Sequence, residues 1–594
     1  MTRHLPSLKF AFSAPFSQAG RVGARLRRID RELLLLLALG VFAWAPLLSP
    51  GYFFNAHDAH HSVFWLVEFD QALRDGAWWP RWAPDHALGY GYPLWIFYSP
   101  LSYYVAEAFH LLGMGFTAAV KATYALAFVA AGVAMYALVR RWWGRGAGLV
   151  AGLVYTYAPY HLVDIYVRSA FAEFVAFVWF PWALLAFWDL VERGGAHRLA
   201  WAGLAYGLIV LTHSVTGLLF SPFLGLYIVF LLVRRSFPCA VGLPVRRLAR
   251  EALSPALAIT LGLGLSAIFW LPLVLERAYI VQEQWLHGQY NYLLQFVYPH
   301  QFLSPFWGFG HAIEGPEDGM SLQIGALPII LGLLAAARAL QGDIARRDLV
   351  GFLALTTVLI VFLMTPAARP LWQLVPLGGL VQFPWRMLAL TALTTAALAG
   401  AAVAGKGEGE ERFSAWACAL GLLATLAGFP YTQPELTPIT PRDESPLAVL
   451  DFERRYPDMI GSTAWAQPPQ DSPLVAQYES GGPLRKAIIL SGAGTVEPIR
   501  HGGASEEVLV RAATEVRLQF LTYWYPGWRA TVDGQPVEIG PEGPHGLITL
   551  NVPAGEHRVA IRFGDTPARS LAAAISGLSL LTVLALWTRG IRRR

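Results

Sequence analysis

Long apolar stretches separated by short polar, often basic, turns dominate the pattern along this chain. A membrane-crossing helix needs about 20 mostly apolar residues, because each residue rises ~1.5 Å through a ~30 Å hydrocarbon core. Stretches of that kind fall at about 32–50, 117–139, 146–160, 171–189, 198–213, 216–233, 253–272, 323–340, 349–366, 386–404, 413–430 and 570–588. The pattern therefore predicts roughly twelve transmembrane helices. The region 431–569 is of ordinary soluble composition, and its second half alternates with the period of a half-buried strand, as in Val516-Arg517-Leu518-Gln519-Phe520. Asp533-Gly534 between two such runs predicts a hairpin. His557 to Phe563 reads as a further strand. The expected fold is an α-helical polytopic membrane protein carrying an extracytoplasmic β-sandwich.

Two segments break the pattern. The stretch 92–113 is apolar but contains Pro93, Pro100, Glu107 and His110. It reads as an interfacial or re-entrant helix, tolerated where protein or a wet cavity satisfies its backbone. The Pro-rich stretch 366–384 has the same reading.

Charge orients the chain. Arg140-Arg141 to Arg145, Arg193 to Arg198, Arg234 to Arg250, Arg338 to Asp348, Lys406 to Arg412 and the Arg-rich tail all fall on one side if the N-terminus is cytoplasmic. The expected division is a basic cytoplasmic segment 1–31, a membrane domain 32–430 with outer loops 51–116 and 273–322, an outer β-rich domain 431–569, and a final helix with a cytoplasmic tail 570–594. A bacterial inner membrane with both termini inside is the expected location. The first apolar run lacks a clear cleavage site and reads as an uncleaved helix.

Composition agrees: 55% of the 594 residues are hydrophobic and 14% charged, too apolar for one soluble core. The net charge of +5 lies in turn clusters rather than a stripe, so nucleic acid is not an expected partner. Of the two cysteines, Cys239 lies in a basic loop and Cys418 in an apolar segment, so a disulfide between them is not expected.

Chemistry-bearing residues gather in the outer loops. The first holds Asn55-Ala56-His57-Asp58-Ala59-His60-His61, an acid among three histidines just past a helix end, suited to a general base or a divalent cation. The spacing matches no zinc pattern, and a solvated loop is the competing reading. The second holds Tyr160, His161, Asp164, Arg168 and Glu173. Asp164 and Arg168 are one helical turn apart and can form an ion pair. Glu173 enters a membrane helix, so it needs a partner or a wet cavity. His213 sits at a hairpin tip and Arg386 opens a helix, where it can clamp a phosphate or anchor at headgroups. The long outer loop adds Glu276, Arg277, Glu283, His287, His300, His311, Glu314, Glu317 and Asp318. No Gly-rich nucleotide loop is visible: Gly144-Arg145-Gly146-Ala147-Gly148 lacks the preceding strand and lysine.

One span followed by a long outer loop with an early acid resembles the GT-C membrane glycosyltransferases. The runs Gly76-Ala77-Trp78-Trp79-Pro80-Arg81-Trp82-Ala83-Pro84, Gly89-Tyr90-Gly91-Tyr92-Pro93, Phe97-Tyr98-Ser99-Pro100-Leu101, Tyr160-His161-Leu162-Val163-Asp164 and Gln382-Phe383-Pro384-Trp385-Arg386 resemble a bacterial membrane family called 6-pyruvoyl-tetrahydropterin synthase-related. Its name refers to a soluble zinc enzyme whose ligand set has no counterpart here. Tyr525-Pro526-Gly527-Trp528-Arg529 and the following hairpin resemble the outer domain of the YfhO family.

The resemblance implies transfer of a sugar from a polyprenyl-phosphate donor to an envelope polysaccharide, lipid or protein. It implies Asp58 and His57 as catalytic residues. His61, Arg168, Arg386, Tyr98 and His213 would contact substrate, and Asp58, Asp164 and Glu173 would hold a divalent cation such as Mg or Mn. No Asp-x-Asp or Trp-Trp-Asp motif stands where oligosaccharyltransferases carry theirs, which leaves metal and acceptor open. A flippase of lipid-linked sugars and a non-catalytic envelope scaffold are the alternatives. Paired repeats that a transporter would predict are not evident.

Overall fold

The computed structural model describes residues 30–236, 245–281, 290–374, 378–405 and 414–592. Cys239, Glu283, His287 and the basic stretches 1–29 and 406–412 lie outside the described residues. Every apolar stretch is helical, but not every helix is of spanning length. Among the described residues seven reach it: Arg31–Leu48, Phe116–Trp143, Phe171–Arg193, Ser214–Ser236, Leu248–Leu265, Arg347–Met364 and Pro567–Gly590. Ala326–Leu340 and Ala415–Tyr431 are shorter and apolar. Arg145–Thr156 has 12 residues, so it rises only ~18 Å, and all ten residues from Ala147 to Thr156 are buried. Leu388–Ala401 is likewise buried along its whole length. The expected dozen thus includes helices that are apolar because protein surrounds them, which hydropathy does not separate from facing lipid. The 92–113 stretch contains helices Leu94–Phe97 and Leu101–Leu111, both too short to cross.

One end of the bundle gathers the basic turns. Arg140 pairs with Asp30 at 2.6 Å, Arg141 with Asp189 at 3.3 Å, and Arg234 with both Glu192 and Asp348 at 3.3 and 2.6 Å. The Trp143 indole donates to the Ala345 carbonyl at 2.7 Å, and Arg338 donates to the Ala402 carbonyl at 2.5 Å. Clusters far apart in sequence therefore share one end, as the charge pattern requires.

At the other end stands a sandwich of antiparallel strands: β1 Ala487–Ser491, β2 Gly494–His501, β3 Ser505–Ala512, β4 Val516–Tyr523, β5 Trp528–Val532, β6 Gln535–Val537, β7 Gly540–Glu542, β8 Leu547–Val552 and β9 Gly555–Phe563. One sheet runs β1-β4-β8-β7 and the other β2-β3-β9-β5-β6. The β5–β6 hairpin turns at Asp533 and Gly534, whose φ of 50° and 80° are those of a type I′ turn.

The sandwich does not merely hang from its helices. Trp82, Ala87, Leu88, Tyr90 and Ile96 of the first loop belong to the same hydrophobic cluster as Val510, Phe520, Leu550 and Ile561. The Tyr523 N–H donates to the Tyr90 carbonyl at 2.8 Å. Gly91 permits this insertion: its φ is +79°, and an added Cβ would lie 2.4 Å from the Trp82 indole nitrogen. Asp75, after helix Ala59–Arg74, accepts from the Ala504 N–H at 2.9 Å and the Ser505 hydroxyl at 2.7 Å. Fully buried Arg569 pairs with Glu276 at 2.8 Å, joining the last helix to the C-terminal end of helix Ala267–Glu276.

Candidate functional site

Two loops remote in sequence are tied together by backbone and hydroxyl groups. The Asp58 N–H donates to the Arg168 carbonyl at 2.8 Å, and the His57 N–H to that of Val167 at 3.2 Å. Ser169, in a left-handed conformation with φ 52°, places its hydroxyl 3.1 Å from those of Tyr52 and Ser62 and 3.2 Å from that of Tyr124. The clasp sets Asp58 at the head of helix Ala59–Arg74, against the loop that carries Arg168.

A cavity of about 630 Å³ opens there. That volume lies in the range of small-molecule sites. His57, Asp58, His61, Tyr98, Arg168, His213 and Arg386 all line it, whereas Asp164 and Glu173 do not. The Asp58 side chain is 51% exposed, and the His61 Nδ1 lies 3.9 Å from its carboxylate.

Burial, with the His311 ring next, lowers the His57 imidazole to about 4. Burial and the neighbouring His86 and His60 lower His61 to about 3. Both rings are therefore neutral near pH 7. The His57 ring lies 4.1 Å from that of His311, and its Nε2 is 3.0 Å from the Gly310 carbonyl. His57 thus ties the loop of Gly310 and His311 to the site, while His61 is the histidine nearest the Asp58 carboxylate.

Beneath lies a buried charge network. Arg168 pairs with Asp164 and, at 3.2 Å, with Glu173; Arg386 reaches Glu173 at 3.3 Å. The Tyr160 hydroxyl donates to Glu173 at 2.6 Å. The Gln382-Phe383-Pro384-Trp385-Arg386 motif holds the second arginine: Pro384 starts a short 3₁₀ turn, and the Gln382 side-chain carbonyl accepts from Arg386 at 3.0 Å. Arg168 lies over the Trp385 ring at 4.7 Å, and Arg386 over Phe383 at 5.0 Å. Glu173 thus finds the partners its place in an apolar helix demands. Asp164 and Glu173 are 0% and 2% exposed and are engaged by arginines from behind the cavity wall. Among the described residues no group of three or more His, Cys, Asp or Glu is placed to hold a metal ion, so the expected cluster of Asp58, Asp164 and Glu173 is not assembled as ligands. The physical reason is the proximity of two guanidiniums.

The roof comes from the downstream soluble region. Helix Pro446–Arg455 and the following turn contribute Phe452, Arg455, Tyr456 and Asp458 to the lining. Sequence reasoning missed these residues. Arg454-Arg455 at a helix end looks like a solvated, dipole-complementing pair, and nothing local says that it faces a cavity nearly 400 residues away along the chain.

A curated protein from Lactococcus lactis subsp. cremoris, itself uncharacterized, is 22% identical over 249 residues, 41% of this chain and 39% of that protein. The apo oligosaccharyltransferase of Archaeoglobus fulgidus superposes with a TM-score of 0.43 at 12% identity, covering 75% of this chain and 61% of that one. The arabinofuranosyltransferase AftD from Mycobacteria gives 0.39 at 14% identity, covering 67% of this chain and 26% of that one. The chain thus spans less than two thirds of each of these proteins. Residues 95–431, more than half of the chain and all of its central membrane part, match the 6-pyruvoyl-tetrahydropterin synthase related domain, described as a membrane protein. With that match added to the spanning helices, the chain belongs to the 6-pyruvoyl-tetrahydropterin synthase related family of membrane proteins.

Proposed function

We propose that this protein is a glycosyltransferase that moves a sugar from a polyprenyl-phosphate donor to a cell-envelope acceptor at the outer face of the bacterial cytoplasmic membrane. One observation carries the reading. The same cavity is lined by a carboxylate that makes no arginine or lysine ion pair within 4 Å among the described residues, Asp58, and by two buried guanidiniums, Arg168 and Arg386, whose own carboxylates stand outside the lining. Cations that face in while their counter-ions stand behind suit an anionic leaving group.

In this reading the acceptor oxygen attacks the anomeric carbon as the bond from that carbon to the phosphate oxygen breaks. The acceptor proton passes to Asp58, and the lipid phosphate leaves with the bonding pair towards Arg168 and Arg386. Neutral His61 orients the carboxylate, and His57 holds the loop carrying His311 across the mouth. Tyr98 and His213 shape the wall on the donor side. A divalent cation would have to meet Asp58 and the phosphate itself, since both oxygens of Glu173 and one of Asp164 are engaged by Arg168, Arg386 and Tyr160 and neither residue lines the cavity. In this reading the basic end of the bundle faces the cytoplasm and the sandwich faces outside, as the positive-inside rule favours.

The test is transfer of labelled sugar from a synthetic polyprenyl-phosphate donor in proteoliposomes. Asp58→Asn, with the protein correctly inserted and the donor still bound, is expected to lower turnover by about 10²-fold or more. Full turnover by that variant removes Asp58 from the chemistry. EDTA in the same assay reports whether a cation contributes.

A further inference from the structure

The cavity holds three arginines, and they are not equivalent. Arg168 and Arg386 are buried in ion pairs on the floor. Arg455, on the roof, is exposed and makes no ion pair within 4 Å among the described residues, although its charge reaches Asp451 on the same helix and, after burial, disfavours protonation of the His60 ring. From the roof an unbroken row of rings descends the wall. The Phe452 and His61 rings are 4.4 Å apart, His61 and Trp65 4.9 Å, Trp65 and Tyr98 4.5 Å, and Tyr98 and His213 6.4 Å. All of these residues line the cavity.

Successive rings of the row are inclined to one another by 66°, 53°, 69° and 53°, so the wall is a staggered series of aromatic edges and faces that offers apolar contact to the C–H faces of pyranose rings while leaving their hydroxyls to the solvated side. Peptide recognition would call instead for backbone-pairing edges or separate side-chain pockets. An exposed guanidinium at the far end of such a wall, with no ion pair within 4 Å among the described residues, suits a carboxylate or phosphate, which it can bind bidentately. The second anion site therefore lies on a different domain from the floor pair and at the opposite end of the ring row.

Resting on the reading that Arg168 and Arg386 take the donor phosphate, we infer that the Phe452–Tyr98 wall is the acceptor subsite and that Arg455 selects an acidic saccharide there. Arg455 is a specificity residue, not a catalytic one. The acidic group can be a uronic carboxylate or a sugar phosphate, since the guanidinium recognises both.

The experiment measures binding to the full chain in lipid nanodiscs by thermophoresis. The probes are a neutral disaccharide, the same disaccharide ending in glucuronic acid, its 6-phosphorylated counterpart, an acidic tetrapeptide, and farnesyl phosphate. At least one acidic disaccharide is expected to bind about tenfold or more tightly than the neutral one, the size of one charge-assisted hydrogen bond. Which acidic disaccharide gains tells carboxylate from phosphate. Arg455→Gln is expected to abolish the advantage, Arg455→Lys to keep part of it, and both to leave farnesyl phosphate binding unchanged. Equal affinity for neutral and acidic disaccharides overturns the inference, as does an advantage that survives Arg455→Gln or tighter binding of the tetrapeptide. Loss of farnesyl phosphate binding in Arg455→Gln also overturns it, because Arg455 would then belong to the donor. Failure of the wild type to bind farnesyl phosphate while the disaccharide preference holds strikes instead at the donor reading.

Discussion

Asp58, His61 and Glu173 show how ionisable side chains take their roles from their surroundings. Asp58 was visible from sequence because it follows the first apolar run at once, where an acid is free to face the outer solution. Glu173 was visible as a problem, a carboxylate in an apolar helix, but its solution in Arg168, Arg386 and Tyr160 required three other segments to arrive. His61 was one of three similar histidines until packing against Phe64, Trp65 and Phe452 distinguished it. That burial carries a pH dependence. The imidazole falls from its usual 6.5 to about 3, so between those values the unfolded chain holds a proton there that the folded chain does not. Stability is full above about pH 6.5 and declines on acidification towards pH 3, by roughly 1.4 kcal/mol per pH unit for one such group. His61→Phe, which keeps a ring in the aromatic row, should flatten the fall of unfolding temperature between pH 6.5 and 4.5. An unchanged slope would mean that His61 is not the buried base.

At the scale of elements, ordinary helices and strands are joined by buried polar groups. Helix Ala59–Arg74 begins at Asp58 in the cavity and ends at Asp75 against the sandwich, so one helix links the cavity to the sandwich. The last helix is anchored by Arg569, whose guanidinium donates to Glu276 at 2.8 and 3.0 Å and to the Pro526 carbonyl at 2.8 Å. Removing one partner of a buried pair leaves an uncompensated charge, which costs about 3–5 kcal/mol. Glu276→Gln should therefore lower the unfolding temperature markedly. Glu479→Gln, which breaks the exposed pair with Arg454, should change stability by less than about 1 kcal/mol. Equal effects of the two substitutions would show that the Glu276–Arg569 pair is not an anchor.

For the whole molecule, the basic turns meet at one end of the bundle and the sandwich stands with the cavity at the other. With Cys239 and Cys418 replaced by serine, a cysteine at Gly534→Cys in the β5–β6 turn should react with a membrane-impermeant maleimide in intact spheroplasts. One at Arg193→Cys should react only after permeabilisation. The reverse order would invert the proposed topology, and labelling of both in intact spheroplasts would mean that the two ends are not on opposite sides.

The sequence by itself determined what is local. Runs of apolar residues specify helices, period-two alternation and Asp533-Gly534 specify strands and their turn, and the placement of arginines in alternate turns specifies which turns share a side. It also marked Asp58, because a helix end and an adjacent acid are neighbours in the chain. Tertiary structure alone decided which apolar helices face protein, since Arg145–Thr156 and Leu388–Ala401 are surrounded by other helices and hydropathy registers only the loss of water. It likewise decided that Asp164 and Glu173 are counter-ions, and that Phe452 and Arg455 close the roof. Ion pairing and burial depend on which segments meet. Those meetings join residues hundreds of positions apart, where no periodicity or spacing reaches.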